Sequence, residues 1–147
     1  MPDKKKSWIK YLTVAVAIAA AYFINTEVQT RLGQSVLDEM QLERHSLPEA
    51  LAKAKVENKL VLADMSAIWC PTCRSLDKNV FSNPKVQAKI NENYVFARIE
   101  YESEEGESFM DTYDVRAFPT ILILDPTGKR LKKIEYTSSP EEFNSFL

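Results

Sequence analysis

The chain has 147 residues, of which 45% are hydrophobic and 27% charged, and its formal net charge is -2. This length and composition fit one globular domain with an appendage and argue against a disordered or repetitive protein. Because nucleic-acid binders present basic faces, the mildly acidic balance gives no reason to expect a nucleic-acid partner.

The N-terminus carries a basic cluster followed by an uncharged apolar run. Residues 1–10 sum to +3 and residues 11–26 carry no charge, which leaves -5 for the rest of the chain. A helix from Trp8 to Ile24 would span about 25 Å, near the short limit for a bilayer core. Basic residues ahead of an apolar run of this length indicate a membrane insertion signal.

We therefore predict that residues 1–26 form a basic N-terminus and a membrane anchor. Since basic residues stay on the cytoplasmic side, the chain would be a single-pass protein of the inner (cytoplasmic) membrane with its domain facing the periplasm or extracytoplasmic side. The alternative is a cleaved signal peptide with Ala19–Ala21 as its small-residue cleavage site, which would release a secreted domain.

Residues 27–45 form a predicted helical connector. Four apolar residues follow one another at a spacing of four, which indicates a helix: Val28, Leu32, Val36 and Met40. This stripe could pack against the domain or a partner, but a solvated stalk is the simpler interpretation.

The predicted globular domain occupies residues 46–147. It opens with a capping box, Ser46 to Glu49, at the start of a helix that continues to Glu57. The further predicted elements are a strand over 59–65, a helix from Cys70 toward Val80, a helix over 84–90, a strand over 94–101, a helix over 103–113, strands over 120–124 and 131–136, and a closing helix over 140–147. This order predicts an α/β fold in which helices flank a central mixed sheet with an antiparallel edge.

The chain has only two cysteines, Cys70 and Cys73. A structural disulfide closing so short a loop would add little stability, and a zinc site needs about four ligands, whereas the single His45 lies far away in the connector. The pair is therefore interpreted as a redox-active disulfide, with no metal and no other cofactor.

The position of the pair gives it a chemical role. Cys70 follows a strand and opens a helix, where free backbone N–H groups and the helix dipole favour a thiolate. Pro71 sets the first helical turn, and Cys73 can reach back to close the disulfide. We assign Cys70 as the nucleophile and Cys73 as the resolving thiol, while Trp69 either flanks the sulfur or is a simple core aromatic.

Two segments carry a resemblance to a known family. Residues 63–73, Ala-Asp-Met-Ser-Ala-Ile-Trp-Cys-Pro-Thr-Cys, resemble the active-site strand and turn of the thioredoxin superfamily, and Phe118-Pro119-Thr120 resembles the loop whose proline is cis in that superfamily. The likeness covers residues 58–147. Residues 80–87 are similar to the C-terminal thioredoxin-like domain of the thiol:disulfide interchange protein DsbD.

The resemblance implies a substrate-binding surface beside the cysteines. It would include Trp69, Pro71, Thr72, Phe118 and Pro119. Pro119 would be the cis-proline beside the disulfide, which leaves the backbone of Phe118 free to pair with an extended substrate strand.

The resemblance also implies a buried carboxylate. Asp64, six residues before Cys70, matches the family's aspartate, which can accept or return the proton of Cys73. The alternative is a strand-end aspartate that faces water. Arg98 falls where thioredoxins carry a lysine near that carboxylate, but it is left out of the predicted site because the sequence does not fix the strand register.

The implied function is that of a membrane-anchored thiol-disulfide oxidoreductase that reduces disulfide-bearing protein substrates. DsbD carries a multi-helix membrane domain in the same chain, whereas this sequence has at most one span, so the predicted electron donor is a separate membrane or thioredoxin-type protein. Two alternatives remain: a disulfide oxidant or isomerase, and a non-catalytic tethered thioredoxin-fold binding module.

Overall fold

Helices surround a four-stranded sheet in the computed structural model, which describes residues 4–147. Residues 1–3, the start of the predicted basic N-terminus, lie outside the described residues. The elements are α1 (Lys4–Glu39), α2 (Leu47–Glu57), β1 (Leu60–Ser66), α3 (Pro71–Leu76), a π-helical turn (Asp77–Phe81), α4 (Pro84–Asn93), β2 (Tyr94–Glu100), α5 (Glu104–Tyr113), β3 (Thr120–Leu124), β4 (Arg130–Ile134) and α6 (Pro140–Phe146).

The sheet is mixed and has the order β2-β1-β3-β4. Strand β1 is parallel to β2 and antiparallel to β3, and β3 forms an antiparallel hairpin with β4. The parallel register sets Asp64 opposite Arg98. The predicted central mixed sheet with an antiparallel edge and flanking helices is confirmed.

Strand β1 separates two apolar cores because its side chains alternate between the faces of the sheet. Val61 and Ala63 belong to the core that includes Phe109, whereas Leu62 belongs to the core that includes Phe81. By the same alternation, Asp64 lies on the Leu62 face, against α3 and the π-helical turn. Asp64 thus lies on a central strand of which six of the seven residues are buried.

Helix α1 is continuous from Lys4 to Glu39. It contains a stretch that is apolar and long enough to cross a membrane by length and composition, and none of that stretch is buried against the domain. The helix continues well beyond the predicted apolar run, since the connector prolongs it without a break.

The last part of α1 packs on the domain, so the predicted solvated stalk is wrong. We call residues 29–40, the end of α1 and the residue that follows it, the docked segment: Gly33, Leu37 and Met40 are buried in it. The predicted stripe does not stay on one face, because a spacing of four residues drifts by about 40° at each step of an α-helix. Val28 therefore remains 47% exposed whereas Met40 joins the core.

Candidate active site

Cys70 lies where the loop after β1 turns into α3. It is the N-cap residue of α3, with extended backbone angles, and Pro71 begins the helix. The Cys73 N–H donates a hydrogen bond to Cys70 Sγ at 3.3 Å. Both cysteines are free thiols; Cys70 is 6% exposed and Cys73 is fully buried. An incoming disulfide can therefore reach Cys70 before Cys73.

Cys73 lies in the first turn of α3, where it is buried in the domain, and its thiol is held in the protonated form. Burial raises the pKa of the Cys73 thiol above its ordinary value, and its hydrogen bond with Cys70 and the nearby charge of Asp64 raise it further. A thiol of this kind attacks only after a neighbouring base removes its proton.

Asp64 is buried rather than facing water, and Arg98 links it to Asp77. Arg98 Nη1 donates to Asp64 Oδ2 at 2.7 Å and to Asp77 Oδ1 at 2.7 Å. Ser66 Oγ lies 2.9 Å from both oxygens of Asp64. We call Asp64, Arg98 and Asp77 the buried trio.

The buried trio carries one positive charge and, when both carboxyls are ionised, two negative ones. Burial raises the pKa of Asp64 to about 6, and the charge of Asp77 adds to this while Arg98 opposes it. Burial also raises the pKa of Asp77, again against the effect of Arg98. The trio can therefore take up and return a proton near neutral pH, at a place where its charge is felt by Cys73.

Three aromatic side chains form a wall beside the cysteines: Trp69, Tyr101 and Phe118. The Phe118 ring lies 5.6 Å from that of Trp69 and 4.6 Å from that of Tyr101, measured between ring centroids. All three are partly buried against Ala67 and the two cysteines. This wall covers the two cysteines on one side and presents an apolar surface beside them.

The remaining predicted site residues are Pro71, Thr72 and Pro119. The Phe118–Pro119 peptide bond is cis, as the resemblance implies. Pro71 and Thr72 are exposed at the start of α3. The loop between β1 and Cys70 is held by Glu100, whose Oε1 accepts a hydrogen bond from the Ile68 N–H at 2.8 Å.

Sequence reasoning missed two residues of this site, Asp77 and Tyr101, and did not include a third, Arg98. Asp77 lies within a predicted helix, and Tyr101 is the last residue of the predicted strand over 94–101, directly after the observed end of β2 at Glu100. Arg98 was recognised but left unplaced. The usable signal was that β1 and β2 are consecutive parallel strands, whose carboxyl ends meet at one edge of the sheet.

Comparison with known proteins agrees with this geometry. Residues 41–126 match the model of a family described as thioredoxin-like. The chain belongs to this thioredoxin-like family. Within it, the chain resembles the thiol:disulfide interchange protein DsbD of Actinobacillus pleuropneumoniae, with 30% identity over 143 residues that cover 95% of this chain and 24% of that protein.

Two further similarities show the breadth of the family. UBX domain-containing protein 2 of Schizosaccharomyces pombe is 30% identical over 107 residues, which cover 69% of this chain and 25% of that protein. The solution structure of a thioredoxin from Thermus thermophilus superposes with a TM-score of 0.65 and 26% identity, covering 73% of this chain and 85% of that one. The chain spans about a quarter of the length of the two curated relatives. The DsbD and thioredoxin similarities support a thioredoxin-like, disulfide-oxidoreductase type of function.

Proposed function

We propose that this chain is a membrane-anchored thiol-disulfide oxidoreductase that reduces protein disulfides outside the cytoplasm through Cys70 and Cys73. The observation that carries the proposal is the hydrogen bond from the Cys73 N–H to Cys70 Sγ at the start of α3. A backbone donor aimed at the sulfur suits the thiolate, which is the form that attacks a disulfide.

The first step forms a mixed disulfide. The Cys70 thiolate attacks one sulfur of the substrate disulfide, a new S–S bond forms to Cys70, and the substrate's S–S bond breaks. The departing substrate sulfur leaves as a thiolate and takes a proton from water. The aromatic wall and the backbone of Phe118 would hold the substrate segment during this step.

The second step releases the product. Asp64 takes the proton of Cys73, and the resulting thiolate attacks Cys70 Sγ, which frees the second substrate sulfur. That sulfur leaves as a thiolate and takes up a proton, which Asp64 can return. The substrate gains two electrons and two protons, and Cys70 and Cys73 end as a disulfide. A separate dithiol protein would reduce this disulfide for the next cycle.

The membrane anchor in this proposal is α1. Its apolar stretch is exposed throughout and follows the basic residues of the N-terminus, which favours a span with the domain on the outer side of the cytoplasmic membrane. Intact mass spectrometry of the mature protein tests this part. A full-length mass in the alkali-resistant membrane fraction is expected, and a mass starting after Ala21 would mean a cleaved signal peptide.

Catalysis itself is tested by insulin disulfide reduction with the full chain in detergent. The wild type is expected to be active with dithiothreitol as donor, and the Cys70→Ser and Cys73→Ala variants are expected to fall to the uncatalysed rate. Equal activity of all three proteins would refute catalysis and leave a tethered binding module as the better description.

The direction of exchange is tested by the reduction potential of the Cys70–Cys73 pair. A value near about -270 mV agrees with a reductase, whereas one near about -120 mV would identify an oxidant.

A further inference from the structure

We propose that the docked segment of α1 holds the active-site end of the domain toward the bilayer, so that its exchange partner must present its sulfurs close to the membrane surface. This inference rests on the proposed anchor and the proposed exchange chemistry, and adds to them the place where the partner must present its sulfurs.

The docked segment touches the active-site turn on both sides of Cys70. Arg74, four residues after Cys70, donates from Nη1 to Gln29 Oε1 at 2.6 Å. Ile68, two residues before Cys70, has its carbonyl oxygen so close to Gly33 that a Cβ atom at Gly33 would lie 2.1 Å from it. Helix α1 therefore contacts the turn that carries Cys70 as well as the core of the domain.

The order of these contacts along α1 orients the domain. Moving away from the apolar run, the contacts with the active-site turn come first, at Gln29 and Gly33. The core contacts of Leu37 and Met40 follow. Since α1 is one unbroken helix, the cysteines belong to the part of the domain nearest the membrane.

The distance to the bilayer is short. Gly33 lies nine residues beyond Ile24, about 14 Å along the helix at 1.5 Å per residue. The two residues from Ile68 to Cys70 add about 7 Å at most. Cys70 thus lies within about 25 Å of the end of the apolar run, even when the close contact between Gly33 and Ile68 is included. A helix tilted from the bilayer normal brings it nearer.

The chemistry of the partner follows from the exchange reaction. A membrane-held dithiol would reduce the Cys70–Cys73 disulfide, with two electrons and two protons passing to this chain and the partner becoming a disulfide. A membrane-held disulfide would run the same exchange in the opposite direction. In both cases the sulfurs must be presented close to the headgroups.

The test uses the full chain, reduced and reconstituted in liposomes. The probe is one disulfide-bearing peptide, either coupled to a phospholipid headgroup or free in solution, and the ratio of its two reduction rates is measured. One variant carries eleven helix-forming residues inserted after Thr26. They add about three helical turns, which moves the domain about 16 Å farther from the bilayer and almost preserves its orientation about the helix axis. The control variant carries the same eleven residues after Pro2, where they leave the height unchanged.

We expect the ratio of lipid-coupled to free rates to fall at least about fivefold in the lifted variant, because at that height the cysteines no longer reach the headgroups. The rate with free peptide and the ratio in the control should stay within about twofold of the wild type. An unchanged ratio in the lifted variant would overturn the proposed placement while leaving exchange intact. Failure of the wild type with both peptides would overturn the proposed function and this inference with it.

Discussion

Arg98 lies opposite Asp64 in the ladder between β1 and β2, and its Nη1 is 2.7 Å from Asp64 Oδ2. The same nitrogen is 2.7 Å from Asp77 Oδ1, so one cation faces two buried carboxylates. When both carboxyls are ionised, their two negative charges exceed the single positive charge of Arg98. The trio therefore favours retaining a proton close to Cys73. Burial and the charge of Asp77 raise the pKa of Asp64 to about 6.

The raised pKa of Asp64 predicts a distinct pH dependence of stability. Between about pH 4 and pH 6 the folded state binds more protons at Asp64 than the unfolded state does, so the free energy of unfolding falls as pH rises through this window. In Asp64→Asn this contribution is absent. Relative to the wild type, the variant should gain at most roughly 3 kcal/mol between pH 4 and pH 7.

Urea unfolding at several pH values measures this difference. Asp111→Asn, on an exposed position of α5, is the matched control and should follow the wild-type curve. Parallel curves for Asp64→Asn and the wild type would show that Asp64 does not titrate in this window.

Arg98 is expected to be essential for stability because its removal leaves two buried carboxylates without a counter-charge. Arg98→Met should lower the free energy of unfolding at pH 7 by about 3 to 5 kcal/mol. Arg116→Met is the control: Arg116 pairs with Asp114 at 3.2 Å but is 74% exposed, and exposed pairs contribute about 1 kcal/mol or less. Similar losses in the two variants would contradict the role assigned to Arg98.

The sequence allowed the fold and the chemical core of the site to be predicted because both have local signatures. Cys70 and Cys73 can be recognised from their spacing and from the strand that precedes them. Asp64 can be recognised as a charged residue in an otherwise apolar strand. Asp77 and Arg98 could not be placed, since their meeting depends on the register of two strands and on a π-helical turn.

The docking of α1 remained the alternative to a solvated stalk for a related reason. The residue that allows the close approach is Gly33, which has no side chain to mark an apolar face. Of the predicted stripe, Val28 and Leu32 stay exposed and only its last member, Met40, is buried in the core. Periodicity detects faces that are covered by large side chains and overlooks contacts made by backbone against backbone.

Substitution of Gly33 distinguishes a docked α1 from a free one by whether the free energy of unfolding falls or rises. In a free helix Gly33→Ala would stabilise by up to about 1 kcal/mol through helix propensity. Here the new Cβ would clash with the Ile68 carbonyl, so the free energy of unfolding should fall by about 1 to 3 kcal/mol.

Urea unfolding of the full chain in detergent reports that sign. Ser35→Ala, an exposed position on the same helix, serves as control and should change stability by less than about 0.5 kcal/mol. A stabilised Gly33→Ala protein would mean that α1 is not docked.

The aromatic wall predicts a link between shielding and reactivity at Cys70. Phe118 contacts both Trp69 and Tyr101, so Phe118→Ala should open the wall and raise the rate of Cys70 alkylation by iodoacetamide several-fold. Tyr136→Ala removes an exposed aromatic ring outside the wall and should leave that rate unchanged. An unaltered rate in Phe118→Ala would show that the wall does not restrict access to the sulfur.

The capture of a mixed disulfide tests the central claim most directly. Cys73→Ala, incubated with an oxidised peptide substrate and acid-quenched, should accumulate a covalent adduct on Cys70 that mass spectrometry resolves, whereas Cys70→Ser should accumulate none. An adduct that forms on Cys73 in the Cys70→Ser protein, with none on Cys70 in the Cys73→Ala protein, would contradict the assignment of nucleophile and resolving thiol.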